Sequence, residues 1–170
     1  AIAVSSFSGV AIENAVSFLS DYKTIKRRLD VLYSTGPIII DDYAHHPTEI
    51  KVVLDGVNSV YKGYEKICIF QPHRISRLKD LKKEFTHAFK DANKVILLPI
   101  YTAGEKISLG FKYESFAREI IKNSKVKLFL ADDRIQLAKY IKNNIYGKKI
   151  VIGMGAGTIS TWMREMPKYL

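Results

Sequence analysis

From residue 37 onward, apolar and polar positions alternate in a regular way. Short β-branched runs stand at 37–42 (PIIIDD), 66–70 (KICIF), 94–100 (KVILLPI), 126–130 (VKLFL) and 149–154 (KIVIGM). Each is too short and too uniformly apolar for a surface helix, so the pattern predicts buried parallel strands. Between them, 47–61, 76–92, 113–123 and 132–145 carry apolar residues three and four apart, as Leu78, Leu81, Phe85, Ala88 and Phe89 do. That spacing predicts amphipathic helices. Strand then helix four times over, with a fifth strand to close, predicts a doubly wound α/β fold: a mostly parallel, Rossmann-like sheet flanked by helices.

The first 36 residues break this rhythm. The stretch 1–25 predicts two helices broken near Ser8 and Gly9, and RRLDVLY predicts a strand that turns through Ser34, Thr35 and Gly36 into the first sheet strand. Two short helices cannot bury their apolar faces alone. The expectation is a short N-terminal helical appendage left from a preceding domain, with a boundary near Lys26 to Asp30.

Composition narrows the class. A chain of 170 residues holds one main core, and 47% hydrophobic with 26% charged residues is ordinary for a soluble globular protein. No apolar stretch approaches a membrane span, and the N-terminus lacks the basic start of a signal peptide. The single cysteine, Cys68, sits in an apolar run and reads as a buried structural thiol. One cysteine allows no internal disulfide or cysteine zinc site, which fits a reducing compartment. The net charge of +10 raises the question of a polyanion, but the lysines are scattered over nearly every helix and turn without a nucleic-acid-reading motif. A solvated lysine-rich surface is the better reading.

Candidate chemistry gathers at strand exits, where open α/β sheets bind ligands. DDYAHH follows the first sheet strand, QPHRISR (71–77) the second and YTAGEK (101–106) the third. Arg74 and Arg77, three apart at a helix start beside His73, suit a carboxylate or phosphate; the alternative is a pair holding neighbouring acidic side chains. Asp41 and Asp42 read either as helix caps or as hydrogen-bond partners of a ribose hydroxyl. His45 and His46 point in different directions as neighbours and lack an obvious third ligand, so orientation of a substrate is favoured over metal. GMGAGT (153–158) follows the last strand without a P-loop lysine, which leaves a tight, closely packed turn and a phosphate contact both open.

In order and spacing, DDYAHHPTE, FQPHRISRLKDL, YTAGE and GMGAGTIS resemble the C-terminal domain of the Mur ligases, across essentially the whole chain. QPHR with a second arginine three residues later is most similar to the ligases that join L-alanine to UDP-N-acetylmuramate; the murein tripeptide ligase of the same family is the alternative. The resemblance implies residues 1–30 as the tail of a central ATPase domain and 31–170 as the C-terminal domain. It implies that ATP activates the muramate carboxylate as an acyl phosphate, which the alanine amine attacks. By the same resemblance Asp42 holds the ATP ribose, Tyr43 lines the adenosine end and Arg28 contacts the phosphates. His45, His73, Arg74 and Arg77 surround the incoming alanine. The phosphate loop and the magnesium ligands are expected in other domains of a longer, cytoplasmic enzyme, so no activity is expected of this chain alone. Two other classes stand beside this: a basic nucleic-acid-binding module, which leaves the converging polar loops unexplained, and an oxidoreductase using GMGAGT, disfavoured because a dinucleotide fingerprint should follow the first strand.

Overall fold

The computed structural model of the chain describes residues 2–20, 25–106 and 112–170. Two helices, α1 (Ile2–Phe7) and α2 (Ile12–Ser20), precede a strand β1 (Asp30–Tyr33). The alternating body follows: β2 (Ile38–Asp42), α3 (Pro47–Val60), β3 (Glu65–Phe70), α4 (Ile75–Asp80), α5 (Lys82–Thr86), β4 (Lys94–Leu97), α6 (Tyr113–Ser124), β5 (Lys127–Leu130), α7 (Arg134–Asn144), β6 (Lys149–Met154) and α8 (Ile159–Glu165). Residues 21–24, expected within the appendage, lie outside the described residues.

One six-stranded sheet runs in the order β1-β2-β6-β3-β4-β5. Only β1 is antiparallel, paired with β2 across the turn at Ser34 to Gly36. The doubly wound expectation therefore holds, with the hairpin strand added at one edge. Period-two alternation splits the strands between two cores. Ile38, Ile40, Cys68, Phe70, Val95 and Leu97 face α3, α5 and α6, while Ile39, Ile67, Ile69, Ile96 and Val151 face α7 and α8. The chain thus winds outward from β2 to β5 over one face and returns beneath the other, inserting β6 between β2 and β3.

Two expectations change. The helix expected over 76–92 is broken at Leu81, whose φ of −112° ends α4. The break turns Phe85 and Phe89 onto Phe70, with ring centroids 5.7 and 5.4 Å away, and the chain then bonds Phe89 N to the buried Ser124 hydroxyl. The strand expected at 126–130 is the edge strand Lys127–Leu130 and alternates between exposed and half-buried positions, with no further strand beside it among the described residues. The appendage is as open as expected: α1 buries no residue, and Phe7 and Phe18 are 96% and 73% exposed.

Register matters most for function. Asp42 and Phe70 both lie level with Met154 of β6, so the exits of β2, β6 and β3 open side by side. Since α8 leaves β6 on one face while α3 and α4 leave β2 and β3 on the other, a crevice must open between them.

Candidate functional site

The β2 exit is built from backbone-holding polar groups. Asp42, 2% exposed, accepts Leu29 N at 2.8 Å on one oxygen and Ala44 N at 2.7 Å on the other. The ribose contact expected of it would have to use the carboxylate's remaining lone pairs. Beside it, Arg28, Leu29, Thr48, Glu49, Val52 and Val53 border an open cleft of about 390 Å³. Tyr43 is partly exposed, with the Arg28 guanidinium 5.9 Å from its ring centre. The expected nucleotide residues Arg28, Asp42 and Tyr43 are therefore neighbours.

His46, one of the pair expected to orient a substrate, spends its Nδ1 on the chain itself. It is the N-cap of α3, where its Nδ1 accepts Thr48 N, and Glu49 accepts the amides of both His45 and His46. Burial pulls the Glu49 carboxyl up, but those two amides more than offset it and hold it below the usual value. The pattern H-P-T-E is a capping box with Pro at the first helical position, a signal legible in sequence. His45 points the other way. Its Nδ1 donates to Tyr43 O at 3.0 Å, and its ring stands edge-on to Tyr43 at 5.0 Å and to His73 at 5.8 Å.

Asp41 is fully buried and accepts from the Ser160 hydroxyl, with Arg164 at 3.6 Å and Arg27 at 3.9 Å. Burial drives its carboxyl above the ordinary range, against the Ser160 bond and the two guanidiniums. Asp41 caps no helix but ties β2 to α8 through Oδ2, while its Oδ1 and Arg27 Nε are buried with no hydrogen-bond partner among the described residues. Arg27, which no sequence signal marked, reaches Gly155 O at 2.5 Å, lies 4.6 Å over the Tyr43 ring and accepts Tyr43 N with its carbonyl.

The β3 exit is different in kind. His73 stacks on Tyr101 at 5.6 Å, 13° from parallel, so the 71–77 and 101–106 loops meet as expected. Burial, then the charges of His45, Arg77 and Arg74, push the His73 pKa below its usual value. His73 Nδ1 and Arg77 Nη1 are buried with no hydrogen-bond partner among the described residues. Arg74 is exposed, and its backbone takes φ = 70°, a strained choice for a residue with a side chain. Of the backbone N–H groups expected at the helix start, Ser76 N is already taken, because Glu105 accepts both the amide and the hydroxyl of Ser76. Among the described residues neither arginine makes an ion pair with a carboxylate, although, after the two Ser76 bonds, the Arg74 charge helps hold the Glu105 carboxyl below its usual value.

Between the two exits lies the glycine turn. Gly155 has φ = 152° and approaches Gln71 so closely that an added Cβ would sit 2.8 Å from its carbonyl oxygen. The buried Gln71 side chain accepts Ile159 N at 3.0 Å and donates to the Thr158 hydroxyl at 3.0 Å. The tight, closely packed turn expected of GMGAGT is thus present. Gln71 escaped the sequence reading, although a polar residue directly after an apolar strand was a visible cue.

Residues 27–157 match the family described as Mur ligase, glutamate ligase domain. The chain is 59% identical to the UDP-N-acetylmuramate--L-alanine ligase of Pelagibacter ubique (strain HTCC1062), covering 100% of this chain and 37% of that protein. Among solved structures it is similar to the UDP-N-acetylmuramate-alanine ligase MurC of Thermotoga maritima, with a TM-score of 0.77 and 23% identity over 98% of this chain and 35% of that one. It is also similar to MurF ligase of Thermotoga maritima in complex with ADP, with a TM-score of 0.66 and 20% identity over 97% of this chain and 35% of that one. At these identities the two structures speak for the fold. The chain spans little more than a third of the length of the curated relative it matches.

Proposed function

Because the chain belongs to the Mur ligase family, we propose that it supplies the C-terminal domain of an ATP-dependent ligase that joins L-alanine to UDP-N-acetylmuramate in peptidoglycan precursor synthesis. In that reaction the muramate carboxylate attacks the γ-phosphorus of ATP and releases ADP. The alanine amine then attacks the acyl carbon, and phosphate leaves as the amide forms. The observation that carries the assignment is the cationic cluster at the β3 exit: Arg77 Nη1 and His73 Nδ1, buried and without a hydrogen-bond partner among the described residues, beside the exposed Arg74. A small zwitterion fits this chemistry. Its carboxylate takes the guanidiniums, and its amine is kept on the side of His45 and His73, where a depressed imidazole pKa leaves His73 neutral near pH 7 and avoids repelling it.

Arg28, Asp42 and Tyr43 form the nucleotide end, at the cleft of about 390 Å³ beside α3. The support there is the shared neighbourhood and the ADP complex of the fold relative from Thermotoga maritima. The phosphate-cradling loop, the magnesium ligands and the UDP-sugar site belong, on this reading, to the rest of a longer protein. Residues 1–30 belong with a central domain, which covers the apolar side chains that α1 and α2 leave exposed. The domain closes on its neighbours during turnover and shields the acyl phosphate from water. On this reading the reaction takes place in the cytoplasm.

The test is phosphate release by the full-length protein with ATP and UDP-N-acetylmuramate, each amino acid supplied in turn. Release that depends on L-alanine supports the assignment. Release that depends on another amino acid or on a muramyl tripeptide overturns it.

A further inference from the structure

Gln71 touches neither end of the proposed site, yet it ties the β3 exit to the glycine turn. Its backbone continues β3, with Gln71 N donating to Met154 O at 3.0 Å. Its side chain, 4% exposed, holds Ile159 N and the Thr158 hydroxyl and so fixes where the glycine turn enters α8. That turn has no slack. A Cβ on Gly157 would lie 2.5 Å from Gln71 Oε1 and 2.7 Å from Tyr101 Cγ, so the bare glycine backbone is a spacer between the two side chains. Tyr101 in turn carries the His73 ring on its face, and its carbonyl accepts Arg74 N at 3.0 Å. Arg74 is held at φ = 70°, a conformation that persists only where the surroundings impose it.

From this chain of contacts we infer that Gln71 is a positioning residue for the amino-acid end of the site, acting through Thr158, Gly157 and Tyr101 on His73 and Arg74. The inference rests on the assignment of the β3 exit to the amino acid. The glutamine amide suits the task because one oxygen serves two donors while the nitrogen returns a bond to Thr158. With these bonds made, the turn, the tyrosine and the arginine backbone can occupy only one arrangement.

The test compares Gln71→Met and Gln71→Glu in the full-length protein. Methionine keeps the volume but makes none of the bonds; glutamate still accepts from Ile159 N and from the Thr158 hydroxyl. For Gln71→Met, amide hydrogen exchange at Arg74 and Tyr101 should accelerate about tenfold relative to Ile67 in β3, the effect of one lost hydrogen bond. The KM for the amino acid should rise by about as much, with the KM for ATP unmoved. Gln71→Glu should recover both. If Gln71→Met does not fold, Gly157→Ala replaces it, since its methyl displaces Tyr101 and should give the same signature. A variant that loses thermal stability while exchange at 74 and 101 and the amino-acid KM stay as they were would show a purely structural glutamine and overturn the inference. Should the unaltered protein turn over no amino acid, the functional assignment fails, and the exchange measurement alone decides whether Gln71 positions these loops.

Discussion

The β2 and β3 exits carry equally polar sequences on the same rim, yet they spend most of those groups in different ways. At β2, Asp42, His46 and Glu49 turn inward and take backbone amides of residues 29, 44, 45, 46 and 48. At β3, Arg77 Nη1 and His73 Nδ1 are buried with no hydrogen-bond partner among the described residues; β2 also leaves such atoms, Asp41 Oδ1 and Arg27 Nε, but there the carboxylate and the guanidinium face each other, with Arg27 Nε 3.9 Å from Asp41 Oδ2. Unsatisfied buried polar atoms cost stability, and at β3 one of them belongs to a guanidinium with no carboxylate partner among the described residues, a group that an anion would satisfy. Polarity at a strand exit therefore does not by itself identify a binding group; the state of its hydrogen bonds does.

The sharpest way to break this contrast is to remove Asp42. Asp42→Ala leaves two amides unpaired, each bonded until then to a charged group, and should lower unfolding stability by about 3 kcal/mol or more. A loss below about 1 kcal/mol in denaturant unfolding would place Asp42 among the functional rather than the structural groups. Next in size, Arg77→Ala in the full-length protein should cost about 1.5–3 kcal/mol in kcat/KM for the amino acid, roughly 10- to 150-fold, while stability stays within about 0.5 kcal/mol of the original. The lysine variant should recover only part, since an ammonium lacks the two-pronged geometry. A defect that falls on ATP instead would assign the pocket to the other substrate.

Glu49→Ala should cost about 0.5–2 kcal/mol of stability through loss of the α3 capping box, read by thermal unfolding, with the amino-acid KM unchanged. The smallest effect is on pH dependence. The folded-state pKa of His73 lies below its ordinary value of 6.5, chiefly through burial. Its contribution to stability is therefore present above 6.5 and is lost as the pH falls through the folded value, because the unfolded chain takes up the proton first. His73→Phe, which keeps the stack on Tyr101, should flatten the decline in stability over that acid range. An unchanged slope would mean that the imidazole is no less basic in the fold than in the open chain.

Much of the scaffold was legible because periodicity reports burial directly. Five apolar runs and four amphipathic segments place every parallel strand, and the hairpin with β1 follows from Ser34 to Gly36. The long helix over 76–92 was not legible as two pieces, since its apolar spacing is preserved across Leu81 and only the packing of Phe85 and Phe89 on Phe70 shows why the backbone turns there. The edge position of β5 was equally hidden, because Lys127 to Leu130 reads as apolar as a central strand. Within the site, the residue types at both exits and the arginine pair were legible. Arg27, Glu105 and Gln71 were not, because their partners lie 128, 29 and 88 residues away along the chain.

The sequence by itself determined the alternation of strands and helices, the exposed apolar helices ahead of them, the family resemblance and the set of polar residues at the strand exits, since each is written in local order and spacing. Only the tertiary structure decided which of those polar residues are used up. Insertion of β6 between β2 and β3 brings Gly155 onto Arg27 and Gln71, buries Asp41 against Ser160, and stacks His73 on Tyr101. A hydrogen bond depends on two groups and the distance between them, and for residues far apart in sequence that distance is fixed by the strand order.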